Sequence, residues 1–388
     1  MASPSTLSAS AGCKVESTWA TPVTPDRFWP VIPGDFVLAD QAQIKSNAVI
    51  SDYAYLETGQ MVLGELKASG NVGFELTDGA VGLLFKLIMG GVSTSGSGPY
   101  THVFTKGTLP SSTWQYAETG SAGTVYPSTA YGCKVTSATL SAALGEIATL
   151  SIDLSAANVS KGTRTVSDGV TTNASTTVTS STAAWTQADV GRPISGGTTA
   201  IPTGATISAV NSSTSITISA AATASTTGNT LTIGKVYASP SYPSGTTPVT
   251  FAHGSLSIAG TSVAAVQSVS VMWDNGLAVD RGRLGSRFIA EQLESDRRSA
   301  TTSITAEFDD LTHYNLYRGG TDATMSLAFT VGSYSLTIAG TTRLTNVKQS
   351  ASGISILEKQ IEAEFVRTAA GADSTAMTVT LVNGDSTP

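Results

Sequence analysis

Alternating apolar and polar positions run from Met61 to Leu76. The even positions of this stretch are apolar or small, whereas most of the odd positions are polar or charged. A period of two is typical of a strand with one buried face and one solvent-facing face. Residues 44–59 come just before this stretch and end in Thr58 and Gly59, which is a turn signal. Together the two segments predict a long β-hairpin.

A different period follows in the segment TDGAVGLLFKLIMGG at 77–91. It predicts a short helix, because its apolar residues have the three- and four-residue spacing of one helical face: Val81, Leu84, Phe85 and Ile88. Four further strand patterns come after it, at 101–105, 112–117, 133–141 and 147–155. A succession of strands with one helix predicts a mainly β fold, an antiparallel sandwich or partial barrel with the helix against one side.

The second half of the chain repeats this order of elements. Residues 297–320 place an alternating strand before an acidic helix start, a short helix and a pair of glycines. Residues 341–371 parallel 132–162 in strand order and in the turn between strands. Residues 263–276 stand where 44–57 stood. These parallels predict an internal duplication of a unit of roughly 150 residues, which is a domain-sized length. Convergent patterning of two unrelated β domains is the alternative.

A stretch of different composition separates the two copies. Residues 164–234 are rich in Thr, Ser and Ala and contain no Lys or Glu. Four of its segments alternate β-branched and small residues, at 175–185, 205–213, 214–222 and 228–234. This alternation predicts a small inserted β module. A disordered low-complexity linker is the alternative, since aromatic residues are nearly absent.

These boundaries predict three domains. A first β domain with an N-terminal arm covers 1–163, the inserted module covers 164–235, and a second β domain with a C-terminal arm covers 236–388. We expect arms because residues 1–35 and the tail after Ala370 are polar and lack core patterning. We expect the module to face outward, since insertions are tolerated at exposed loop tips.

Composition and charge narrow the function classes. Charged residues make up 13% of the 388-residue chain, against a usual share of roughly 25%. So few charges indicate a surface that partner subunits cover, and the net charge of −7 argues against a nucleic-acid clamp. The most apolar window, 80–91, is too short to span a bilayer, and the N-terminus has no basic head or apolar run. We therefore expect a cytoplasmic product with no membrane partner.

The sequence offers no motif for catalysis, for a cofactor or for a metal. The three histidines His102, His253 and His313 lie far apart and outside any HExxH pattern. Cys13 and Cys133 are also far apart, and we interpret them as reduced thiols, with a disulfide or a metal site as the alternative. No phosphate-binding loop and no GxSxG elbow occur.

Two charged segments have a structural interpretation. Asp309 and Asp310 precede a predicted helix, where a carboxylate caps free amide groups. The mixed-charge segment AEQLESDRR at 290–298 predicts a solvated or intersubunit loop.

Five features of the chain carry a resemblance to a known family. They are VESTWATPVTPDRFWPV at 15–31, GELKASGNVGFELT before GLLFKLIMGG, THVFT at 101–105, YGCKVTSATLSAALGEIATLSIDLSA at 131–156, and the second-copy elements. In this order they resemble the tail tube (major tail) proteins of long-tailed bacteriophages, in the class with a duplicated tube domain. The resemblance covers 12–163 and 236–382. The inserted stretch is similar to small β modules of phage structural proteins.

The resemblance implies a β-sandwich whose long hairpins join those of neighbouring subunits into one inner barrel. Rings would stack into a tube, and double-stranded DNA would pass through the bore without specific binding. We predict that the polar positions of the two long strands face this lumen: Glu65, Lys67, Ser69, Asn71, Glu75, Ser303, Thr305 and Glu307. Glu dominates their charged members, and an acidic wall lets the DNA polyanion slide.

The resemblance also implies partners and a location. Single-domain members form six-membered rings, so two fused copies predict a trimeric, pseudo-sixfold ring, with a hexamer of full-length chains as the alternative. Other partners would be the terminator, tape measure and distal tail proteins. The protein would be made and assembled in the host bacterial cytoplasm and would end in the virion tail. The two arms would then link adjacent rings.

A second function class stays open. The chain could be a virion decoration protein or an adhesin, with the inserted module contacting carbohydrate. An adhesin module usually exposes aromatic residues, and this one offers only Trp185. A secreted hydrolase is a third class, for which the sequence offers no site.

Overall fold

The structure of the chain is a computed structural model. It describes residues 10–32, 36, 38–47, 58–120, 123–263, 265–350, 356–368 and 376–388. Within these ranges the chain is mainly β, with one α-helix in each half. None of the helices in these ranges has the length and apolar character needed to cross a lipid bilayer.

The first half forms one β repeat with a single helix. Its elements are β1 (Ser10–Val15), β2 (Arg27–Trp29), β3 (Leu38–Lys45), β4 (Met61–Glu75), α1 (Gly82–Met89), β5 (Gly90–Ser95), β6 (Tyr100–Lys106), β7 (Ser112–Thr119), β8 (Val125–Ala143), β9 (Thr149–Ala156) and β10 (Asn158–Lys161). The strand β4 alternates as the sequence predicts, with Ala68, Val72 and Phe74 buried.

A separate six-stranded antiparallel sheet follows. Its strands are β11 (Arg164–Thr171), β12 (Thr177–Thr179), β13 (Ile194–Gly196), β14 (Ile207–Ser212), β15 (Ser215–Ile218) and β16 (Thr226–Ile233). Their order in the sheet is β13–β16–β11–β12–β15–β14. The sheet has its own apolar core, which includes Val178, Ile207 and Leu231. The inserted β module is therefore confirmed as a folded unit, and the disordered linker is excluded.

The second half forms another β repeat with a single helix. Its elements are β17 (Gly254–Ile258), β18 (Thr261–Ser262), β19 (Val266–Asp274), β20 (Leu277–Ala278), β21 (Leu293–Glu294), β22 (Ser299–Glu307), α2 (Thr312–Gly319), β23 (Asp322–Val331), β24 (Tyr334–Ser350), β25 (Glu358–Phe365) and β26 (Met377–Asn383). Short 3-10 turns occupy Thr58–Gln60, Gln187–Asp189 and Phe251–His253.

The two repeats share one set of strand pairings. Seven pairs of the first repeat each have a counterpart in the second: β1–β2 with β17–β18, β1–β7 with β17–β23, β3–β4 with β19–β22, β4–β9 with β22–β25, β7–β8 with β23–β24, β8–β9 with β24–β25, and β8–β10 with β24–β26. The β5–β6 hairpin has no counterpart in the described part of the second repeat. The predicted duplication is confirmed, because unrelated domains would not reproduce this topology.

Eight antiparallel strands, four from each repeat, join into one continuous sheet. The order is β3–β4–β9–β8–β19–β22–β25–β24. We call this sheet the inner sheet. The long strands β8 and β24 continue beyond it into the second layer of each sandwich. In β8 the passage between layers occurs at a bulge where Gly132 has a φ of 62°, a left-handed conformation that favours glycine.

One apolar core runs between the layers and through both repeats. The rings of Trp29, Phe74 and Trp114 pack together with centroids 5.8–6.2 Å apart. The Phe85 ring of α1 meets the Trp273 ring of the second repeat edge to face at 6.5 Å. The two repeats are therefore packed on each other as well as joined by the inner sheet.

One prediction about the first repeat needs correction, and the predicted short helix is confirmed as α1. The predicted hairpin forms, but its first strand is β3 at Leu38–Lys45, which shares only 44–45 with the predicted segment 44–59, and 48–57 lies outside the described residues. Local alternation cannot tell which of two adjacent segments pairs with a strand. The helix α1 has more than one buried face, since only Lys86 among its eight residues is not buried. The reason is that the second repeat covers the side that an isolated domain would expose.

The predicted arms are also corrected, and the predicted mixed-charge loop is confirmed as solvated only at 293–297. Within 1–35, Ala11 and Cys13 of β1 lie in the core, and after Ala370 so do Met377 and Leu381 of β26. The polar residues of these segments concealed a strand pattern that tertiary pairing completes. In the segment 290–298, Gln292 is fully buried and Arg298 donates to the Met89 carbonyl oxygen at 3.0 Å. These two residues pack against the first repeat of the same chain, whereas 293–297 between them are exposed.

Candidate assembly and lumen surface

The predicted lumen residues lie on β4 and β22 of the inner sheet. Ser69, Glu75 and Ser303 are exposed and Asn71 and Thr305 are half-buried, while the residues that alternate with them point into the core. In an antiparallel sheet, residues directly opposite each other share a face. The register connects Glu75 through Thr149, Ser141 and Ser270 to Ser303. The candidates of the two repeats therefore share one face, which we call the polar face.

Glu65, near the hairpin, deviates from this pattern. Glu65 lies at a register irregularity of β4, and its carboxylate is next to Gly282 of the second repeat. The Lys67 ammonium is 3.8 Å from the Glu65 carboxylate. Lys67 itself is exposed. Glu307, the last candidate, is half-buried and stands directly opposite Glu358 on β25.

Sequence reasoning missed several members of the polar face. Asn71 donates to Ser151 and Asp153 at 2.7 Å each, and Ser137 donates to Asp153 at 2.5 Å. These hydrogen bonds extend the face across β9 and β8. On the second repeat the missed members are the alternate residues of β25 and the adjoining positions of β24: Glu358, Gln360, Glu362, Glu364, Asn346 and Lys348. The signal was present in EKQIEAEF at 358–365, where the even-numbered residues are polar and the odd-numbered residues are buried.

The polar face carries more carboxylates than ammonium groups. Its carboxylates include Glu75, Asp153, Asp274, Glu307, Glu358, Glu362 and Glu364, and its cationic groups include Lys67, Lys348 and Arg343, which stands directly opposite Glu364. Two of the carboxylates, Glu307 and Glu358, stand directly opposite each other, an arrangement that does not favour sheet stability. The face therefore presents a negative surface to whatever lies in front of it.

The two repeats meet at a joint between β8 and β19. These strands pair from Ser137↔Asp274 to Ala143↔Ser268. The buried Asn275 side chain donates to the carbonyl oxygens of Ile88 at 3.1 Å and Val135 at 3.0 Å. We call this arrangement the internal joint. Each of these two side-chain hydrogen bonds joins a donor in the second repeat to an acceptor in the first.

Gln292 and Lys134 complete the internal joint. The Gln292 amide donates to the carbonyl oxygens of Gly132 and Ser155 at 3.3 and 3.1 Å, and its oxygen accepts from the Trp19 indole at 3.1 Å. The buried Lys134 ammonium contacts Glu291 at 2.7 Å. Because Gln292 is fully buried, all of its hydrogen bonds must be satisfied within the protein, and one relative orientation of the two repeats does this.

Both ends of the inner sheet lack a strand partner in the described part of the chain. At one end β3 pairs only with β4, and at the other β24 beyond Arg343 pairs only with β25. The helix α2 lies near the second end and packs on β24. It is largely exposed, with only His313 buried. Unpaired edges of this length are sites where another chain can add a strand.

A cluster resembling a metal site anchors α2. The ligand atoms of Asp309, Asp310 and His313 lie within 4.8 Å of one another. However, the buried Lys359 ammonium donates to Asp309 and lies 3.3 Å from the His313 Nδ1 atom. The hydrogen bond from Lys359 lowers the pKa of Asp309, and burial lowers the pKa of His313. The cluster therefore already contains a cation. Asp310 accepts the Thr312 amide at 2.9 Å, which confirms the predicted cap.

The remaining histidines and cysteines have structural surroundings. His102 is buried between Thr94 Oγ1 at 2.8 Å and the Asp385 carbonyl oxygen at 2.9 Å. His253 accepts the Thr250 amide at 3.0 Å. Cys13 and Cys133 are free and buried, and burial raises the pKa of both thiols. None of these groups lines an open site.

The inserted module rests on the first repeat through buried polar contacts. The Tyr131 hydroxyl donates to the Gly191 carbonyl oxygen and accepts from Asn158 at 2.9 Å. Arg192 donates to the Gly162 carbonyl oxygen at 2.8 Å. Trp185 is buried, with the Arg164 guanidinium 4.8 Å from the centre of its ring. The module thus exposes no tryptophan as a carbohydrate platform.

Comparison with known proteins adds one match. A family model with the description "Phage tail tube protein" matches residues 6–214 and, in a second segment, 209–381. The two segments together span most of the chain; they overlap at 209–214, inside the inserted module, and each contains one of the two β repeats. No curated protein matches the chain.

Proposed function

The chain belongs to the phage tail tube protein family, and from this premise we propose that its copies form rings that stack into the conduit for genome ejection. As a member it is a structural protein of the virion tail that associates with itself and with other tail proteins. The observation that carries the proposal is the inner sheet, which has a polar face and, at each end, a strand whose outer edge has no partner among the described residues. Closing such sheets around an axis removes their edges.

The dimensions favour a ring of three chains. Three inner sheets of eight strands would close a barrel of twenty-four strands. With strands about 4.8 Å apart and tilted by about 40°, the diameter between backbones would be about 48 Å. That is wide enough for hydrated duplex DNA. Six chains would double the diameter to about 95 Å, far more than a duplex requires. The trimeric, pseudo-sixfold ring is therefore the proposal, and the hexamer is the alternative.

The polar face would line the bore. The candidates from Glu65 to Glu75 and from Ser303 to Glu307 would face the DNA together with Asp153, Glu362 and Glu364. A duplex carries one negative charge per roughly 1.7 Å of its axis. Because carboxylates outnumber cationic groups on this wall, it would repel phosphate on balance, and the DNA would pass without being held. The terminator, tape measure and distal tail proteins are the further partners we propose, and assembly would take place in the host cytoplasm.

The domain boundaries at 1–163, 164–235 and 236–388 belong to the same proposal. The ends of the module meet, since Gly234 packs against the Gly162 carbonyl oxygen, so the module can leave the repeat as a single projection. It would then stand on the outside of the tube. An adhesin or decoration role has less support, because Trp185 is buried.

Electron microscopy of the purified chain tests the function. We expect tubes, and symmetry analysis should give three copies of the 39.5 kDa chain in each ring. Six chains per ring would refute the trimer while keeping the tube. Monodisperse monomers under all assembly conditions would refute the function itself.

A further inference from the structure

We propose that β24 of one chain pairs with β3 of a second copy in the register that the internal joint specifies. This inference rests on the proposed function, since it concerns the contact between neighbouring chains of a ring. It goes further because it names the atoms of the seam. The inference has three steps: a counterpart for β24, a counterpart for β3, and the environment of α2.

The first step equates β24 with β8. Both strands have a bulge at the same place, at Thr136 between Val135 and Ser137 and at Thr345 between Leu344 and Asn346. On either side of its bulge, β24 pairs with β25 in the same order as β8 pairs with β9. The positions 346–348 of β24 therefore correspond to 137–139 of β8. In the internal joint, these three residues of β8 pair with 272–274 of β19.

The second step equates β3 with β19. The neighbour of β19 is β22, in the register Met272↔Thr301 and Asp274↔Ser299. Through their pairing with β25 and β9, Thr301 corresponds to Ser69. Ser69 pairs with Leu38 of β3. Positions 38–40 of β3 therefore correspond to 272–274 of β19.

Combining the two steps gives the register of the seam between chains. Leu38 should stand opposite Lys348, residue 39 opposite 347, and Asp40 opposite Asn346. The charges of the two strands are compatible, because this register places the acidic residue Asp40 at the position diagonal to the basic residue Lys348. A shift by one residue would move every side chain of β3 to the wrong face.

The third step concerns α2, whose exposure contrasts with the burial of α1. The two helices have the same length and each ends at a glycine, Gly90 or Gly320. Val81 at the start of α1, and Leu84 and Leu87 within it, are at most 2% exposed. Their counterparts at α2, which are Leu311, Tyr314 and Tyr317, are at least 37% exposed.

The second repeat provides part of the cover on α1. Trp273 packs on the Phe85 ring, Asn275 donates to the Ile88 carbonyl oxygen, and Arg298 donates to the Met89 carbonyl oxygen. Because α2 belongs to the second repeat and lies near the open end of the inner sheet, nothing in the described residues covers it in the same way. The first repeat of a second copy would provide that cover at the same time as β3 pairs with β24. The occupant of this surface is therefore a second copy of this chain.

Cysteine pairs test the register. Directly opposite residues have Cα atoms about 4.5–5.5 Å apart, which suits a disulfide, whereas diagonal residues are about 7–8 Å apart. The matched pair is Leu38→Cys with Lys348→Cys. The shifted control is Leu38→Cys with Ser350→Cys, which differs only by two residues along β24. The native thiols are buried.

Full-length variants would be assembled, checked for tubes by electron microscopy, oxidised and run on non-reducing gels. We expect chains linked by disulfides in the matched pair at least tenfold more than in the shifted control. Asp40→Cys with Asn346→Cys gives a second matched pair if the first prevents assembly. Tubes without a cross-link in either matched pair, or with equal linking in the control, would overturn the register and leave the proposed function intact. Absence of tubes from the unmodified chain would overturn both.

Discussion

Asn275 offers the sharpest test of how the two repeats are held together. Its side chain is 3% exposed, and its amide donates two hydrogen bonds to carbonyl oxygens of the first repeat. In Asn275→Ala both carbonyl oxygens, on Ile88 and Val135, remain buried without this donor. Leaving a buried polar group unsatisfied costs about 1–3 kcal/mol. Since two groups are affected, we expect the free energy of unfolding to fall by about 2–4 kcal/mol.

The measurement is urea denaturation followed by tryptophan fluorescence, with Trp273 close to the joint. Asn346→Ala is the matched control, because the Asn346 amide makes one bond, to Glu362 at 3.2 Å on the exposed polar face. We expect this control to change stability by less than about 0.5 kcal/mol. Asn275→Asp keeps the shape but places an anion against two carbonyl oxygens, so it should destabilise at least as much as alanine. The reasoning would be refuted if Asn275→Ala and Asn346→Ala had the same effect.

Four further predictions follow from the described contacts. Glu16→Gln should reduce the free energy of unfolding by about 2–3 kcal/mol, because the buried carboxylate accepts hydrogen bonds from three donors; urea denaturation would contradict this if the loss were under 0.5 kcal/mol. Burial, and then the charge of Lys359, lower the pKa of His313 in the folded chain. The unfolded chain therefore binds a proton at His313 more readily than the folded chain does. The stability that this histidine contributes should be complete above about pH 6.5 and should be lost as the pH falls through the lowered pKa. His313→Gln should remove that slope in a pH series of melting curves, and an unchanged slope would count against it. Tubes with Glu362→Lys and Glu364→Lys should retain duplex DNA at low salt and release it as salt rises, in contrast to unmodified tubes in a sedimentation assay. Deleting the inserted module and joining its ends should leave tube assembly intact by electron microscopy, and loss of tubes would exclude its outward placement.

Local patterns were sufficient for the strands and for their faces. Alternation in 61–76 and in 297–308 placed β4 and β22 and assigned their polar sides, because a period of two has one consistent solution in a half-buried sheet. The duplication was also visible, since turns and glycine pairs recur in the same order. The polar face on β25 carries the same alternation, but a lysine, Lys359, occupies one of its buried positions and obscures the apolar side.

Other features depend on contacts that no local pattern encodes. The pairing of β8 with β19 is a choice among several strands with similar alternation, and backbone hydrogen bonds do not distinguish them. The burial of α1 on several sides reflects a neighbour more than a hundred residues away, as the contact of Phe85 with Trp273 shows. Likewise, Gln292 looked like part of a solvated segment, although its amide satisfies buried carbonyl oxygens of the other repeat.

The internal joint also bears on assembly kinetics. In a six-position ring, half of the seams would be present as soon as each polypeptide folds, because tethering raises the effective concentration of the two partners far above that of free molecules. Nucleation of a ring would then be a third-order event instead of a sixth-order one. Ring formation would therefore begin at a lower subunit concentration than it would for a protein with one repeat per chain.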